Sequence, residues 1–115
     1  MADPAQKAAK LVKRNRWGKI NKLLEKGDSE IRAALASELK NNRDDNSINL
    51  LIILLKDSDE KVQLEAVKSL GELRVERAKT HLQNMFKFVP EDKTELIEAI
   101  KDAIAKINEA IHENQ

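Results

Sequence analysis

The sequence predicts an all-α fold, an α-α superhelix of three helical hairpins behind one N-terminal capping helix. Three observations predict it. Positions recur at a spacing of 31 residues: Asp28, Ile31 and Leu39 return as Asp59, Val62 and Leu70, while Ile20, Leu23 and Leu24 return as Leu51, Leu54 and Leu55 and again as Leu82, Met85 and Phe86. Apolar residues fall at helical intervals in a background of Ala, Leu, Lys and Glu, and no stretch of adequate length alternates apolar and polar as a half-buried strand does. Polar turns punctuate the apolar stripes at regular places. A helix pair of this kind cannot cover its own apolar face, so it stacks on its neighbour into an elongated array whose outer surface is suited to holding partners.

The chain reads as a single domain, 1–115, divided into a capping helix (1–14) and repeats at 16–41, 47–73 and 75–112. The leader opens with Pro4 in the first turn behind a cap at Asp3 and shows a thin stripe of Ala8, Leu11 and Val12. In the first repeat, residues 16–26 carry Trp17, Ile20, Leu23 and Leu24, and residues 29–41 carry Ile31, Leu35 and Leu39. Between them Gly27 is expected to take the left-handed conformation that ends one helix, and Asp28 to cap the next. Residues 41–47 hold no apolar side chain and read as the loop between repeats. In the second repeat, Ile48, Leu51, Leu54 and Leu55 face Val62, Ala66, Leu70 and Leu73 across a turn at Asp57, Ser58 and Asp59. The last repeat lags the period by two or three residues, because the segment with Pro90 is longer; its second helix carries Ile97, Ile100, Ile104, Ile107 and Ile111 in alternating steps of three and four.

Composition narrows the class. Hydrophobic residues make up 41% and charged residues 36%, with three Gly and two Pro, the mixture of a folded helical protein rather than a disordered tail. The absence of Cys excludes disulfides, thiolate metal sites and cysteine nucleophiles. The longest apolar run, Leu50 to Leu55, falls far short of the roughly 20 residues a membrane span needs, and Lys7, Lys10, Lys13, Arg14 and Arg16 interrupt any secretory h-region, so the expected location is cytoplasmic. The net charge of +1 hides an asymmetry: residues 1–26 hold eight Lys or Arg against Asp3 and Glu25, and residues 91–115 hold seven acids against Lys93, Lys101 and Lys106. Stacked in order, the repeats would form a rod with a positive head and a negative tail.

At Asp59, Val62, Ala66, Leu70 and Gly71 the second repeat resembles the HEAT-repeat family, which implies a HEAT/armadillo-like right-handed solenoid, and in particular its short phycobilisome-lyase type; Asp28, Ile31, Arg32 and Leu39 agree in the first repeat. The resemblance covers residues 16–89. It implies that Asp28 and Asp59 cap the second helices and that Arg32 joins a polar ladder between repeats. Gln63 stands where Arg is usual and Lys40 where Gly71 would predict Gly. The tetratricopeptide and ankyrin signatures are absent.

No catalytic site emerges. His81 and His112 lie in different helices without a metal-binding carboxylate pattern, the serines have no nucleophile elbow, and there are too few glycines for a phosphate-cradling loop. No cofactor or metal is expected. Two surfaces remain. The outward stripes of the second helices define a candidate partner-binding groove with Glu30, Lys61, Glu65, Lys68, Glu72, Glu98 and Asp102, increasingly acidic toward the C-terminus and suited to a basic protein surface. Lys7, Lys10, Arg14, Arg16, Trp17 and Lys19 form a candidate basic patch, where Trp17 reads either as the first core residue of its helix or as an interaction anchor.

The expected function is a non-catalytic protein-protein interaction scaffold or adaptor that binds an unidentified partner along the concave face. The alternative is a nucleic-acid-binding module using the basic head. A remoter one, an accessory subunit of a bilin lyase, follows only from the resemblance. The chain is expected to be a monomer, with head-to-tail association open to its oppositely charged ends.

Overall fold

The computed structural model describes residues 3–113, so the first two and last two residues of the expected 1–115 domain lie outside the described residues. Among the described residues the chain forms α1 (Pro4–Lys13), α2 (Trp17–Lys26), α3 (Ser29–Glu38), α4 (Asp45–Leu54), α5 (Glu60–Leu73), α6 (Lys79–Phe88) and α7 (Thr94–Glu113), with short 3-10 turns at Leu39–Asn41 and Glu76–Ala78. No strand occurs among them. The helices lie in two layers. The second helices α3, α5 and α7 stand side by side, with α1 against α3 at the N-terminal end, and α2, α4 and α6 form the other layer. Of the apolar positions that recur every 31 residues, Ile20, Leu51 and Leu82 are fully buried in the seam between the layers, as are Leu39 and Leu70, and Leu54 and Leu55 are buried, whereas Leu23, Leu24 and Met85 are half-buried and Phe86, expected in the seam, is 42% exposed.

Small side chains let the second helices approach one another closely. Ala33 and Ala36 on α3 meet α5 at Ala66 and Ser69, all buried, and the Ser69 hydroxyl donates to the Ala36 carbonyl at 2.7 Å. On the other side of α5, a Cβ built at Gly71 would stand 2.9 Å from both Cα and Cβ of Ala103, closer than such atoms approach in folded proteins. Along α5 and α7 the contacts advance together, Glu60 with Lys93, Glu72 with Lys106 and Arg74 with Glu109, so these two helices run parallel, and Ser69 meets Ala36 on α3 at a similar offset of 33 residues. The first helices α2, α4 and α6 make no comparably close approach to one another. The layer of α3, α5 and α7 is thus the tightly packed one, and that of α2, α4 and α6 the open one.

Aspartates start four of the helices. Asp3, Asp28, Asp44 and Asp59 accept backbone N–H groups of Ala5, Ile31, Ser47 and, for Asp59, both Lys61 and Val62, satisfying donors that the first turn leaves orphaned. The cap at Asp44 begins α4 at Asp45, two residues before the expected end of the loop. Arg74, with φ 54°, closes α5 in the left-handed conformation, and Asn15, φ 53°, turns the chain between α1 and α2.

Two expectations need correction. Gly27 is not left-handed: its φ is −74° and ψ 164°. The position excludes a side chain because a Cβ would lie 2.4 Å from the Leu23 carbonyl oxygen and 2.5 Å from Ile31 Cγ2. Nor is the array a rod. Its extents of 42 × 35 × 18 Å describe a slab, because three hairpins stacked side by side span little more than one helix length.

The contact at Gly71 carries a prediction. Gly71→Val is expected to lower the unfolding free energy by about 2–3 kcal/mol through overpacking against the α7 backbone. Gly18→Ala, where nothing lies within 4 Å, is expected to raise it by about 0.5 kcal/mol. Urea titration of both variants beside the parent checks the pair, and similar midpoints for the two would contradict the close approach of α5 and α7.

Candidate functional site

A polar ladder ties successive hairpins. Arg32, one turn into α3, donates from Nε to Asp57 Oδ2 at 3.0 Å and from Nη2 to Asp57 Oδ1 at 3.1 Å, and its Nη1 reaches the Gly27 carbonyl at 2.7 Å. One guanidinium therefore closes the turn of its own hairpin and clamps the turn of the next, in the two-pronged geometry that only Arg provides. The pair is largely shielded, with side-chain exposures of 17% and 10%. Burial pushes the Asp57 carboxyl up, but the hydrogen bonds from Arg32 and from the Asp59 backbone N–H outweigh it, and the net shift is downward. Arg32 is raised, first by its hydrogen bond to Asp57. In the next hairpin Gln63 replaces Arg and donates to the Leu55 carbonyl at 2.9 Å, so this arm of the ladder stays within its own repeat. Elsewhere Arg43 reaches the Leu73 carbonyl, and Arg77 binds Asn49 at 2.8 Å.

On the face formed by the second helices, four of the predicted groove residues come together. Glu65, Lys68, Glu72 and Asp102 line a hollow of about 250 Å³ between α5 and α7, floored by Ser69, Gly71 and Ala103 and completed by Lys40 and Lys106. Lys106 stands at its centre, 3.2 Å from Glu72 and 3.3 Å from Asp102. Hydrogen bonds to Glu72 and then to Asp102 raise its pKa. The other three groove residues lie apart from this hollow. Glu30 and Lys61 sit at the first turns of α3 and α5, and Glu98, one turn before Asp102, pairs with Lys101 at 3.7 Å. Within this hollow Lys40, Lys68 and Lys106 balance Glu65, Glu72 and Asp102, whereas the stripes predict a groove increasingly acidic toward the C-terminus. Acid prevails on α3, α5 and α7, which carry ten acidic residues against five basic ones, while α1, beside α3 in the same layer, adds Lys7, Lys10 and Lys13. Lys40 and Lys106 were not among the expected groove residues. The spacing of Lys106 four residues after Asp102 signals one of its two bonds, but its bond to Glu72 depends on how far α7 lags α5.

The basic head is exposed. Lys7, Lys10 and Arg14, spaced for one face, stand on and just after α1; Arg16 and Lys19 lie at the start of α2. Among the described residues none of the Lys and Arg side chains of residues 3–26 has a carboxylate within salt-bridge distance. Trp17 is half-buried and packs against the core.

The other layer shows a feature the sequence reading missed. Ile53 is 65% exposed and Phe88 83%. Between the spread helices, Leu24, Leu50, Ile52 and Ile53 line a hollow of about 610 Å³, and Ile52, Leu55, Met85 and Phe88 line a second of about 530 Å³. The signal available in the sequence was α4 itself, apolar around more of its circumference than one buried face requires.

Among the described residues no group of His, Asp or Glu is placed to hold a metal ion, and no helix is long and apolar enough to cross a membrane. A family model described as HEAT repeats matches residues 19–107. No curated protein matches the sequence.

The ladder sets a pH dependence. A carboxyl held below the unfolded-state value of about 3.9 stabilises the fold fully at neutral pH and loses that contribution as acid protonates it. Asp57→Asn is therefore expected to cost about 1–3 kcal/mol near neutrality, where it leaves the Arg32 guanidinium without its charge partner. In urea unfolding the gap between parent and variant is expected to narrow from about pH 6 to about pH 3; a gap independent of pH would contradict the role given to the ionised carboxylate.

Proposed function

The chain belongs to the HEAT-repeat family, whose members commonly serve as non-catalytic protein-interaction scaffolds, and from that premise we propose that it holds a partner protein along the face formed by α3, α5 and α7. The observation that carries this reading is the parallel set of second helices. Their outward stripes bring Glu65, Lys68, Glu72 and Asp102 around one hollow and leave Glu30, Lys61 and Glu98 along the same layer. Fixed charges on packed helices suit recognition of a charged surface, and the acidic excess of the layer favours a basic one. The ion pairs made by Lys106 are partly exposed, so a guanidinium or ammonium of the partner can take its place on Glu72 or Asp102 at small cost.

A second reading is favoured by one observation, the unpaired cations of α1 and α2. Lys7, Lys10, Arg14, Arg16 and Lys19 would supply phosphate contacts, with affinity falling steeply as salt rises. The acidic excess of α3, α5 and α7 opposes wrapping of a polyanion, and this reading confines such contact to the N-terminal end.

Selection of random peptides against the immobilised protein separates the two. The scaffold reading expects Lys- and Arg-rich sequences to be enriched, and their binding to be lost in a variant with Glu65→Lys, Glu98→Lys and Asp102→Lys. Enrichment that survives this reversal would contradict the assignment to this face. In gel-shift titration at low ionic strength, the scaffold reading expects no retarded DNA or RNA species; retention abolished by Lys10→Glu with Arg14→Glu would favour the second reading.

A further inference from the structure

The face opposite the second helices is apolar where it should be covered. A surface helix in a small helical protein buries one stripe and turns charged or polar residues outward. Helix α4 departs from that pattern: after Asn46 and Asn49 its outward positions are taken by Ile53, while Leu50 and Ile52 on its flanks are only half-buried. Across from it α6 presents Met85 and the exposed Phe88, and α2 presents Leu24. The two hollows on either side of α4 share Ile52, Lys56 and His81. They are therefore continuous around the end of that helix, a recess of the kind that receives the ridge of another helix.

Charge decides what fits it. The layer of first helices carries Lys19, Lys22, Lys26, Lys79 and Lys87 against Glu25 and Asp45, and Asp45 is already met by Arg77 at 3.7 Å. Glu25, Lys56, Asp57 and His81 line the recess itself; Asp57 is held by Arg32 and Lys56 has no carboxylate within salt-bridge distance among the described residues, so the excess of lysine on the flanking helices sets the sign of the charge around it. A second copy of this chain docked by the same face would set like charge against like. A bilayer offers anionic charge but a flat surface, whereas most of these apolar side chains line hollows below the outer contour. A helix with an apolar ridge and acidic flanks meets both demands.

We propose that the recess over α4, between α2 and α6, docks an acidic amphipathic helix of a partner protein, its apolar side chains entering against Leu24, Leu50, Ile52, Ile53, Met85 and Phe88 and its carboxylates facing Lys56 and the neighbouring lysines. The recess shares no lining residue with the hollow between α5 and α7, so this site stands independently of what the face of the second helices holds.

The probe is a fluorescein-labelled peptide of about 18 residues, about five helical turns, with Leu at every third or fourth position and Glu on both flanks, read by fluorescence anisotropy on the full chain. Saturable binding is expected. Ile53→Ser with Phe88→Ser, both exposed enough to leave the fold intact, should weaken it by about tenfold or more, and Lys56→Glu by about threefold or more. Lys68→Ala with Asp102→Asn should leave it unchanged. The same peptide with Lys in place of Glu should bind at least about tenfold more weakly. Circular dichroism of each variant separates lost binding from lost fold. Four outcomes would overturn the proposal: no saturable binding, equal affinity for the Lys peptide, indifference to the Ile53 and Phe88 changes, or retention of the protein on phosphatidylserine vesicles that the Glu peptide cannot displace. Dimerisation in sedimentation equilibrium that is lost in the Ile53→Ser, Phe88→Ser variant would assign the recess to a second copy instead.

Discussion

The structure depends on the close approach of the second helices. Ala33 and Ala36, then Ala66, Ser69 and Gly71, then Ala103 remove side-chain bulk along the line where α3, α5 and α7 meet. Backbones approach this closely only where such residues recur, and interiors this dense do not absorb an added methylene without displacement. The large side chains are consigned to the seam between layers, where Ile20, Leu51 and Leu82 lie fully buried under their hairpins. Small residues on one layer and large ones beneath it oblige the first helices to spread. The charge cluster on the second helices and the apolar recess on the other face both follow from that one asymmetry.

The polar contacts fix what the apolar seam leaves free. Aliphatic packing between parallel helices tolerates sliding by a turn, since Leu and Ile fit many similar holes. Arg32 removes that freedom between the first two hairpins, because its planar fork meets Asp57 in one register while its third donor holds Gly27. Between α5 and α7 the same task falls to Lys106 with Glu72, to Arg74 with Glu109, and to the exclusion of any side chain at Gly71. The first of these is shielded and stabilises; the second is open to solvent, where exposed pairs contribute little to stability. A surface pair of that kind is available for exchange with a partner in a way the Arg32 pair is not.

Much of this was legible in the sequence, and the remainder was hidden for identifiable reasons. The 31-residue recurrence located the buried seam because burial of one stripe per helix is what the recurrence encodes. Aspartates before the apolar stripes marked the starts of helices because their side chains compete for orphaned amides. Gly27 was misread because a glycine after a helix has the same appearance whether it serves a left-handed turn or a close approach; only its φ of −74° and the nearness of Leu23 and Ile31 distinguish them. The bond from Lys106 to Glu72 depends on the lag introduced around Pro90, which sequence periodicity places only to within two or three residues. Ile53 was assigned no role because the run Leu50 to Leu55 supplies more apolar residues than the seam needs, and which of them is left outside depends on how far α4 stands from α2 and α6.

The most direct test of this account is the nuclear Overhauser contact between the Gly71 α-protons and the Ala103 methyl group in a carbon-13-labelled sample. The account requires a strong cross-peak there, accompanied by one between the side chains of Ser69 and Ala36. Absence of both, or a pattern of contacts that sets α4 against α6 as closely as α5 against α7, would contradict it and would replace the two-layer array with a closed bundle.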